Sequence, residues 1–239
     1  MRVVLSIGGS VLAPTQGEER VASYADAIRE LVHMGCQVGA VVGGGSVARD
    51  YIEAGRALGA NEIELDEIGI GVTRLNAELL IAALGDMVPS GCAESYRTAR
   101  TDLVRGGVAV MGGTDPGHTT DAVSAALAEF VNADLLVLAT SVPGVFEEDP
   151  KANPDAPRYD TLTSADLVDI VAGLEMNAGS AAPVDLLAAK VIDRSDMHAV
   201  VIDGSDPARV IQAVRDGTFD GTEIAPTTGT VPPLWTDDD

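Results

Sequence analysis

The stretch "VMGGTDPGHTTDAVSAALAEF", residues 110–130, concentrates residue types that bind phosphate. An apolar run leads into two glycines, then into a loop with one His, three Thr and two Asp, and then into an alanine-rich helical pattern. Thr119 or Thr120 suits the N-cap of that helix, and the amides left free in its first turn suit an anionic ligand. The stretch therefore predicts a phosphate site at a strand-to-helix turn.

Two residues of this stretch have alternative roles. Asp121 is either a first-turn acid favoured by the helix dipole or a carboxylate that orients a cation, such as Mg²⁺ between phosphates. His118 is not predicted as a zinc ligand, because the other two His lie far away in the sequence and no Cys has the required spacing. We interpret it as a polar, hydrogen-bonding loop residue.

Glycine-rich loops follow two further aliphatic runs, at Gly8-Gly9-Ser10 and at Gly43-Gly44-Gly45-Ser46. Such loops let a phosphate approach backbone amides at the positive end of the next helix, although glycines can also merely turn a strand into a helix. Because several such loops are expected at one sheet edge, we favour an anion site. Neither loop fits G-x-x-x-x-G-K-[ST], and "GGGSVA" is a poor dinucleotide fingerprint because Ala48 occupies its third glycine position.

Two charged residues near these loops each keep two interpretations. Arg49, four residues after the third glycine of "GGGSVAR", could reach a phosphate from the following helix or be an exposed helix arginine. Asp66, in "LDEIGIG", could accept a hydrogen bond from a sugar hydroxyl or cap a helix. Position alone does not decide between them.

The elements that position these residues repeat one pattern, in which an aliphatic run is followed by turn residues and then by helical periodicity. The pattern occurs at residues 2–12, 37–55, 110–130, 134–146 and 198–214. Helices are also predicted around "RVASYADAIRELVHMG", with its apolar spacing, and in residues 73–87, whereas residues 147–163 predict an exposed loop. This alternation predicts one α/β domain over residues 1–239 with a mostly parallel sheet covered on both faces.

Composition excludes several function classes. The chain has 37 acidic and 15 basic residues, and a net charge of −22 argues against binding to nucleic acid, which needs a basic footprint. No uninterrupted apolar segment approaches the roughly 20 residues that span a bilayer. The N-terminus does not resemble a secretory signal, so we expect a cytoplasmic protein. The two Cys have no metal-ligand spacing and are expected to be buried free thiols, with a disulfide as the alternative. The scattered acids and only two lysines resemble the composition of proteins from salt-loving organisms.

Several of these segments together resemble one known family. "VLSIGGSVL", "GAVVGGGSVAR", "GIGVTRLNAELLIAAL", "VMGGTDPGHTTDAVSAALAEF" and "ADLLVLATSVPGVFEEDPKANPDA" resemble, in order, the archaeal type of uridylate (UMP) kinase within the amino-acid kinase family. The resemblance implies a three-layer αβα sandwich with about eight mainly parallel strands. It also implies phosphoryl transfer from ATP to UMP in pyrimidine biosynthesis, with Mg²⁺ held through the nucleotide phosphates and with no protein metal site.

The resemblance assigns site residues, with the acceptor nucleotide bound mainly by the N-terminal part and ATP by the C-terminal part. Catalytic roles fall to Asp121 and Arg49. Contacts with ATP fall to Gly9, Ser10, Gly45, Arg49, Thr140, Phe146 and Asp149. Contacts with UMP fall to Gly44, Asp66, Thr114, Asp115, Pro116, Gly117, His118, Thr119 and Thr120. The family is usually a homohexamer, and UTP is implied as a feedback inhibitor.

One departure concerns a positive charge. Many members of the wider family have Lys at the position of Ser6, which cannot supply that charge. Either Mg²⁺, Arg49 and the loop amides compensate, or Lys190 or Lys151 reaches the site. The departure keeps open a noncatalytic nucleotide- or oxyanion-binding protein, beside a kinase of the same fold acting on isopentenyl phosphate, carbamate or acetylglutamate.

Overall fold

Seven strands form one sheet in the part of the chain that this computed structural model describes, residues 1–12, 17–148, 150, 153–175 and 184–235. They are β1 (Arg2–Ile7), β2 (Gln37–Val42), β3 (Ala109–Met111), β4 (Leu135–Thr140), β5 (Thr161–Thr163), β6 (Ala199–Asp203) and β7 (Gly221–Ala225). Their order is β3-β2-β1-β4-β6-β7-β5, and all neighbours are parallel except β6 and β7. The mainly parallel sheet is confirmed, with seven described strands where about eight were expected.

Helices cover both faces of this sheet. They are α1 (Gly9–Leu12), α2 (Glu18–His33), α3 (Gly45–Ala57), α4 (Glu62–Leu84), α5 (Tyr96–Val104), α6 (Thr120–Val131), α7 (Ser164–Glu175), α8 (Leu186–Ser195) and α9 (Pro207–Asp216). Short 3-10 helices follow at Gly85–Met87 and Pro233–Trp235. One hydrophobic core joins the sheet to α2, α4 and α9, and a second joins it to α5, α6, α7 and α8. The predicted three-layer αβα architecture is confirmed.

The alternation of side chains along β1 decides which residue faces which layer. Val3, Leu5 and Ile7 belong to the core under α2, α4 and α9, whereas Val4 belongs to the core under α6. Because successive side chains of a strand point to opposite faces, Ser6 lies on the α6 side. This places its hydroxyl beneath the first turn of α6.

Helix α4 begins eleven residues before the predicted start at residue 73. Asn61 caps it: its side chain accepts the Glu64 amide at 3.1 Å, and the Glu64 carboxylate accepts the Asn61 amide at 2.8 Å. This capping box and the buried stripe of Leu65, Val72, Leu80 and Leu84 outweigh the two glycines in its first half. Asp66 lies inside the helix, so the helix-cap interpretation of Asp66 is wrong.

Two predictions after β4 are wrong. The segment 134–146 was expected to continue into a helix, but it runs into a turn and an isolated bridge between Phe146 and Arg158. The expected loop 147–163 ends in β5, which pairs in parallel with β7. A strand of three residues is too short to show an alternating pattern, and its formation depends on the edge that β7 offers.

Length and composition alone would let α4 and its following turn, Glu62–Met87, cross a bilayer, because the mean hydropathy of its most apolar window is 1.4. The helix is nevertheless part of the folded domain. It packs beside α3 and α2, and its inner face contributes Ala77, Leu80 and Leu84 to the core. Such a core helix passes the same test, so these properties do not identify a membrane span.

Candidate active site

The site lies at the carboxyl edge of the sheet, where the strand order reverses between β1 and β4. In open α/β sheets this is the crevice in which ligands bind. Backbone hydrogen bonds fix the loops there: the Gly8 amide donates to the Ala139 carbonyl at 2.9 Å, and the Gly43 amide donates to the Ile7 carbonyl at 2.9 Å. The first residue of each loop therefore continues the hydrogen bonding of the sheet, which fixes where the loop begins.

The two glycine loops touch each other directly. A Cβ atom added to Gly9 would lie 1.9 Å from the amide nitrogen of Gly45, and one added to Gly45 would lie 2.4 Å from the Gly9 carbonyl oxygen. Gly45 also has a φ of +66°, which favours glycine. The N-terminal ends of α1 and α3 thus converge on one place, and the first amides of a helix suit an anion. The structure brings together Gly9, Ser10, Gly44 and Gly45, as the sequence predicts for an anion site.

A cavity of about 350 Å³ opens beside these loops. Of the predicted acceptor-nucleotide residues, Gly44, Asp66, Gly117, His118, Thr119 and Thr120 line it. Thr114, Asp115 and Pro116 do not line it, although they belong to the same loop. Further lining residues, which the sequence analysis did not single out for this site, are Ala48, Ile52, Gly69, Ile70, Thr73 and Gly113. The volume and the mixed apolar and polar lining suit a small organic ligand.

Asp66 connects α4 to the loop that follows β3. Its Oδ2 accepts a hydrogen bond from the Gly117 amide at 2.8 Å, while Gly117 has a φ of +82°. Asp66 is half-buried and lines the cavity. The carboxylate keeps further acceptor capacity, so it can hold the loop and also accept a hydroxyl from a ligand.

The start of α6 combines a cap with an acid. Thr119 is the N-cap: its hydroxyl oxygen accepts the Ala122 amide at 3.1 Å and its hydroxyl donates to Asp185. Thr120 is instead the first helical residue. His118 is exposed, and no group of three or more metal-ligating side chains occurs in the part of the chain that the structure describes.

Asp121 lies under the helix start with its side chain turned toward β1. The Ser6 hydroxyl donates to its Oδ1 at 2.8 Å, and Ser6 is almost fully buried. Burial raises the pKa of Asp121 to about 6, the Ser6 hydrogen bond opposes that rise, and the negative charge of Asp185 adds to it. Ser6 thus supplies a neutral hydrogen-bond donor to this carboxylate.

The candidate cations do not reach Asp121. Arg49 is exposed in the second turn of α3 and does not line the cavity, and Lys190 is exposed on α8. Lys151 lies outside the described residues. Within the described ranges, the only charged neighbour that perturbs Asp121 is another carboxylate, Asp185. Compensation by Lys190 is therefore not seen, and a role for Arg49 requires its side chain to turn toward a bound phosphate.

Of the ATP contacts predicted in the C-terminal part, Thr140 ends β4 and Phe146 lies in the segment that follows it. The Thr140 hydroxyl accepts the Val142 amide at 3.1 Å and donates to the Val142 carbonyl at 2.9 Å, which closes a tight turn. Phe146 is half-buried. The loop that contains Phe146 is held by Arg158, which donates to the Pro143 carbonyl at 3.1 Å and pairs with Asp220. Asp149 lies outside the described residues.

Three polar side chains that hold the loops of the site were not predicted from the sequence. Thr73 accepts the Gly113 amide at 2.7 Å, Asn76 donates to the carbonyls of Gly43 and Gly44, and Asp185 caps α8 while accepting from Thr119. A signal existed for Thr73 and Asn76, because they are polar residues on the buried stripe of an apolar helix. Asp185, directly before "LLAAK", carried an N-cap signal.

Comparison with known proteins shows which family this chain resembles. The model of the amino acid kinase family matches residues 1–203. The uridylate kinase of Halobacterium salinarum is 61% identical over 226 residues, covering 95% of this chain and 94% of that protein. The uridylate kinase of Haloarcula marismortui is 59% identical over 226 residues, covering 95% and 99%.

A solved structure agrees in sequence and in fold. The crystal structure of uridylate kinase from Archaeoglobus fulgidus superposes with a TM-score of 0.83 at 44% identity, covering 94% of this chain and 100% of that chain. The chain therefore belongs to the amino acid kinase family and, within it, groups with the archaeal uridylate kinases.

Proposed function

We propose that this chain is an ATP:UMP phosphotransferase, which transfers the γ-phosphoryl group of ATP to UMP and yields ADP and UDP for pyrimidine nucleotide synthesis. The observation that carries the proposal is the contact between the two glycine loops beside the cavity that Asp66 and Thr119 line. It gives one anion site with a pocket of nucleoside size next to it. Relatives named uridylate kinase, at 54–61% identity, support this acceptor.

Backbone amides supply the positive potential of the site. The reaction requires that two phosphates be held in line while charge spreads over the transferred group, so positioning and electrostatics suffice without a covalent nucleophile. The first-turn amides of α1 and α3 bind the phosphates at the loop contact. The cavity side, from the N-terminal part of the chain, holds UMP, and Thr140 and Phe146 of the C-terminal part contact ATP. Arg49 turns toward the phosphates when they are bound.

The acidic group beneath α6 fits a hard divalent cation. Carboxylate and hydroxyl oxygens of Asp121, Asp185 and Ser6 are the donors that Mg²⁺ prefers, and no cation of the described chain pairs with Asp121. When bound with the nucleotides, Mg²⁺ would offset the negative charge of the phosphates. Asp121 would orient it, and Ser6 holds Asp121 in place through its hydroxyl.

Self-association is part of the proposal, as a homohexamer in the cytoplasm of a halophile with UTP as a feedback inhibitor. The outer face of α4 supports it: Leu75 is 67% and Leu79 43% exposed. Leu79 and Ala83 also line an apolar groove of about 510 Å³ between α4 and α2. In a chain with a net charge of −22, an exposed apolar stripe on a long helix suits an interface between copies.

Acceptor specificity tests the function itself. In molar KCl with Mg²⁺ and ATP, the purified protein should release ADP with UMP and far more slowly with CMP, AMP, isopentenyl phosphate or acetylglutamate, measured by a coupled ADP assay. Asp121→Asn and Arg49→Ala should each lower turnover strongly while circular dichroism shows a folded protein. Absence of UMP-dependent ADP release under folding conditions would overturn the proposal.

A methyl group inserted where the two glycine loops touch should strongly lower the activity. In Gly9→Ala the new methyl group meets the Gly45 backbone at 1.9 Å, so the loops must separate, and kcat/KM for UMP should fall by about 100-fold or more. The matched control is Gly71→Ala on α4, where an added Cβ meets nothing within 4 Å. Its kcat/KM should equal that of the wild type, and equal activity of both variants would contradict the tight loop contact.

Loss of the Ser6 hydroxyl should shift the acid limb of the pH profile of kcat/KM to higher pH. The ionised form of Asp121 is the active one, its pKa is about 6, and the Ser6 hydrogen bond lowers that pKa. Ser6→Ala therefore raises the pKa, so that protonation removes activity at higher pH, and the acid limb of kcat/KM shifts upward. The control Ser23→Ala, on the exposed face of α2, should leave the limb unchanged. A limb that stays in place in Ser6→Ala would show that Asp121 does not set it.

Charges on the outer face of α4 should dissociate the oligomer. Leu75→Glu combined with Leu79→Glu places carboxylates on the exposed apolar stripe, and light scattering after gel filtration should report a smaller species. Leu58→Glu, at a position 89% exposed beyond α3, is the control that should keep the wild-type mass. If the double variant also keeps that mass, the interface lies elsewhere.

A further inference from the structure

Asn76 is a buried polar residue on the inner face of α4 with no role in the mechanism described so far. It is 3% exposed, and its Nδ2 donates to the Gly43 carbonyl at 2.9 Å and to the Gly44 carbonyl at 3.2 Å. Both acceptors belong to the glycine loop between β2 and α3. A loop without side chains has few other means of fixing the direction of its peptide groups.

The planar peptide links these carbonyls to the amides of the site. In a trans peptide the C=O of one residue and the N–H of the next point in opposite directions. Two carbonyls held toward α4 therefore turn the N–H groups of Gly44 and Gly45 away from α4. The Gly45 nitrogen does face the Gly9 loop, since it would lie 1.9 Å from a Cβ at Gly9.

The backbone of the loop has the form of an anion-binding nest. Gly44 is right-handed helical, with φ −85° and ψ −30°, and Gly45 has the left-handed φ of +66°. Successive residues of this pair of conformations direct their amides into one concavity, where an oxyanion binds. Because α3 continues from Gly45, the dipole of a 13-residue helix adds to the same place.

We propose that Asn76 is a positioning residue for phosphate, which sets the nest of Gly44 and Gly45 by holding their peptide groups from behind. The proposal rests on the proposed phosphoryl transfer and extends it to a residue that touches no nucleotide. An amide is needed because both partners are carbonyls: a carboxylate offers acceptors only, and an aliphatic side chain offers no donor. Burial prevents bulk water from taking over the two hydrogen bonds.

The test measures how much the phosphate groups contribute to binding, by comparing each nucleotide with its nucleoside. Isothermal titration in molar KCl measures the affinity of wild type and Asn76→Leu for UMP and uridine, and for ATP and adenosine. We expect the ratio of nucleotide to nucleoside affinity to fall by about tenfold or more in Asn76→Leu, as for the loss of a hydrogen bond to a charged group. The nucleoside affinities should stay unchanged, and kcat/KM should fall by about 100-fold because the phosphates are misplaced.

Two further variants separate positioning from stability. Asn76→Ser keeps one donor and should give an intermediate ratio, and it takes over the test if Asn76→Leu does not fold. Leu80→Ala, one turn further along the same helix and fully buried, destabilises the core but leaves both Asn76 hydrogen bonds to the loop, and it should keep the wild-type ratio. An unchanged ratio in a folded Asn76 variant, or an equal fall in Leu80→Ala, would overturn the proposal.

The proposed reaction and the proposed role of Asn76 can fail separately. Wild-type protein that releases no ADP with UMP contradicts the proposed function. A lowered ratio of ATP to adenosine affinity in Asn76→Leu would still support the positioning role. Wild-type turnover of UMP with an unchanged ratio in the variants would support the function and overturn the role of Asn76.

Discussion

The approach of Gly9 to Gly45 constrains the whole nucleotide edge of this protein. The two loops can touch only if β1 and β2 end at the same depth, and the parallel register that pairs Ile7 with Val42 provides this. Contact without side chains leaves amide groups, and not hydrocarbon, facing the crevice. The cavity, the start of α6 and the end of β4 are arranged around that contact, so one backbone arrangement sets the geometry of the proposed phosphate site.

The second organising feature is a buried carboxylate, Asp121, that no lysine of the described residues approaches. Asp121 receives a hydrogen bond from Ser6 and the repulsion of Asp185, and burial raises its pKa to about 6. A carboxylate in that environment remains charged near neutral pH but favours a cationic neighbour. In a chain with two lysines and a net charge of −22, the proposed sources of positive potential are backbone dipoles, Arg49 and a nucleotide-bound divalent ion.

Sequence patterns were reliable where one local cause determines the result. The aliphatic runs became β1, β2, β3, β4 and β6, and Thr119 became the cap of α6 because a Thr before an alanine-rich helix has few competing roles. They failed where a distant partner decides: β5 exists because β7 offers an edge, and the first half of α4 forms despite Gly69 and Gly71 because its stripe meets the core. Asp66 could be interpreted in two ways until the Gly117 amide was placed 2.8 Å from it.

By itself, the sequence determined the fold class and the residue types at the proposed phosphate edge, because strand and helix periodicity and glycine loops are local properties of a chain. The family followed from the resemblance of its motifs. The tertiary structure decided which of those residues meet. Ser6 and Asp121 are 115 residues apart in the sequence and share a hydrogen bond because strand alternation turns Ser6 toward α6. Asn76 reaches the glycine loop because α4 packs across the end of β2, and no local pattern encodes a contact set by the packing of a helix on a sheet.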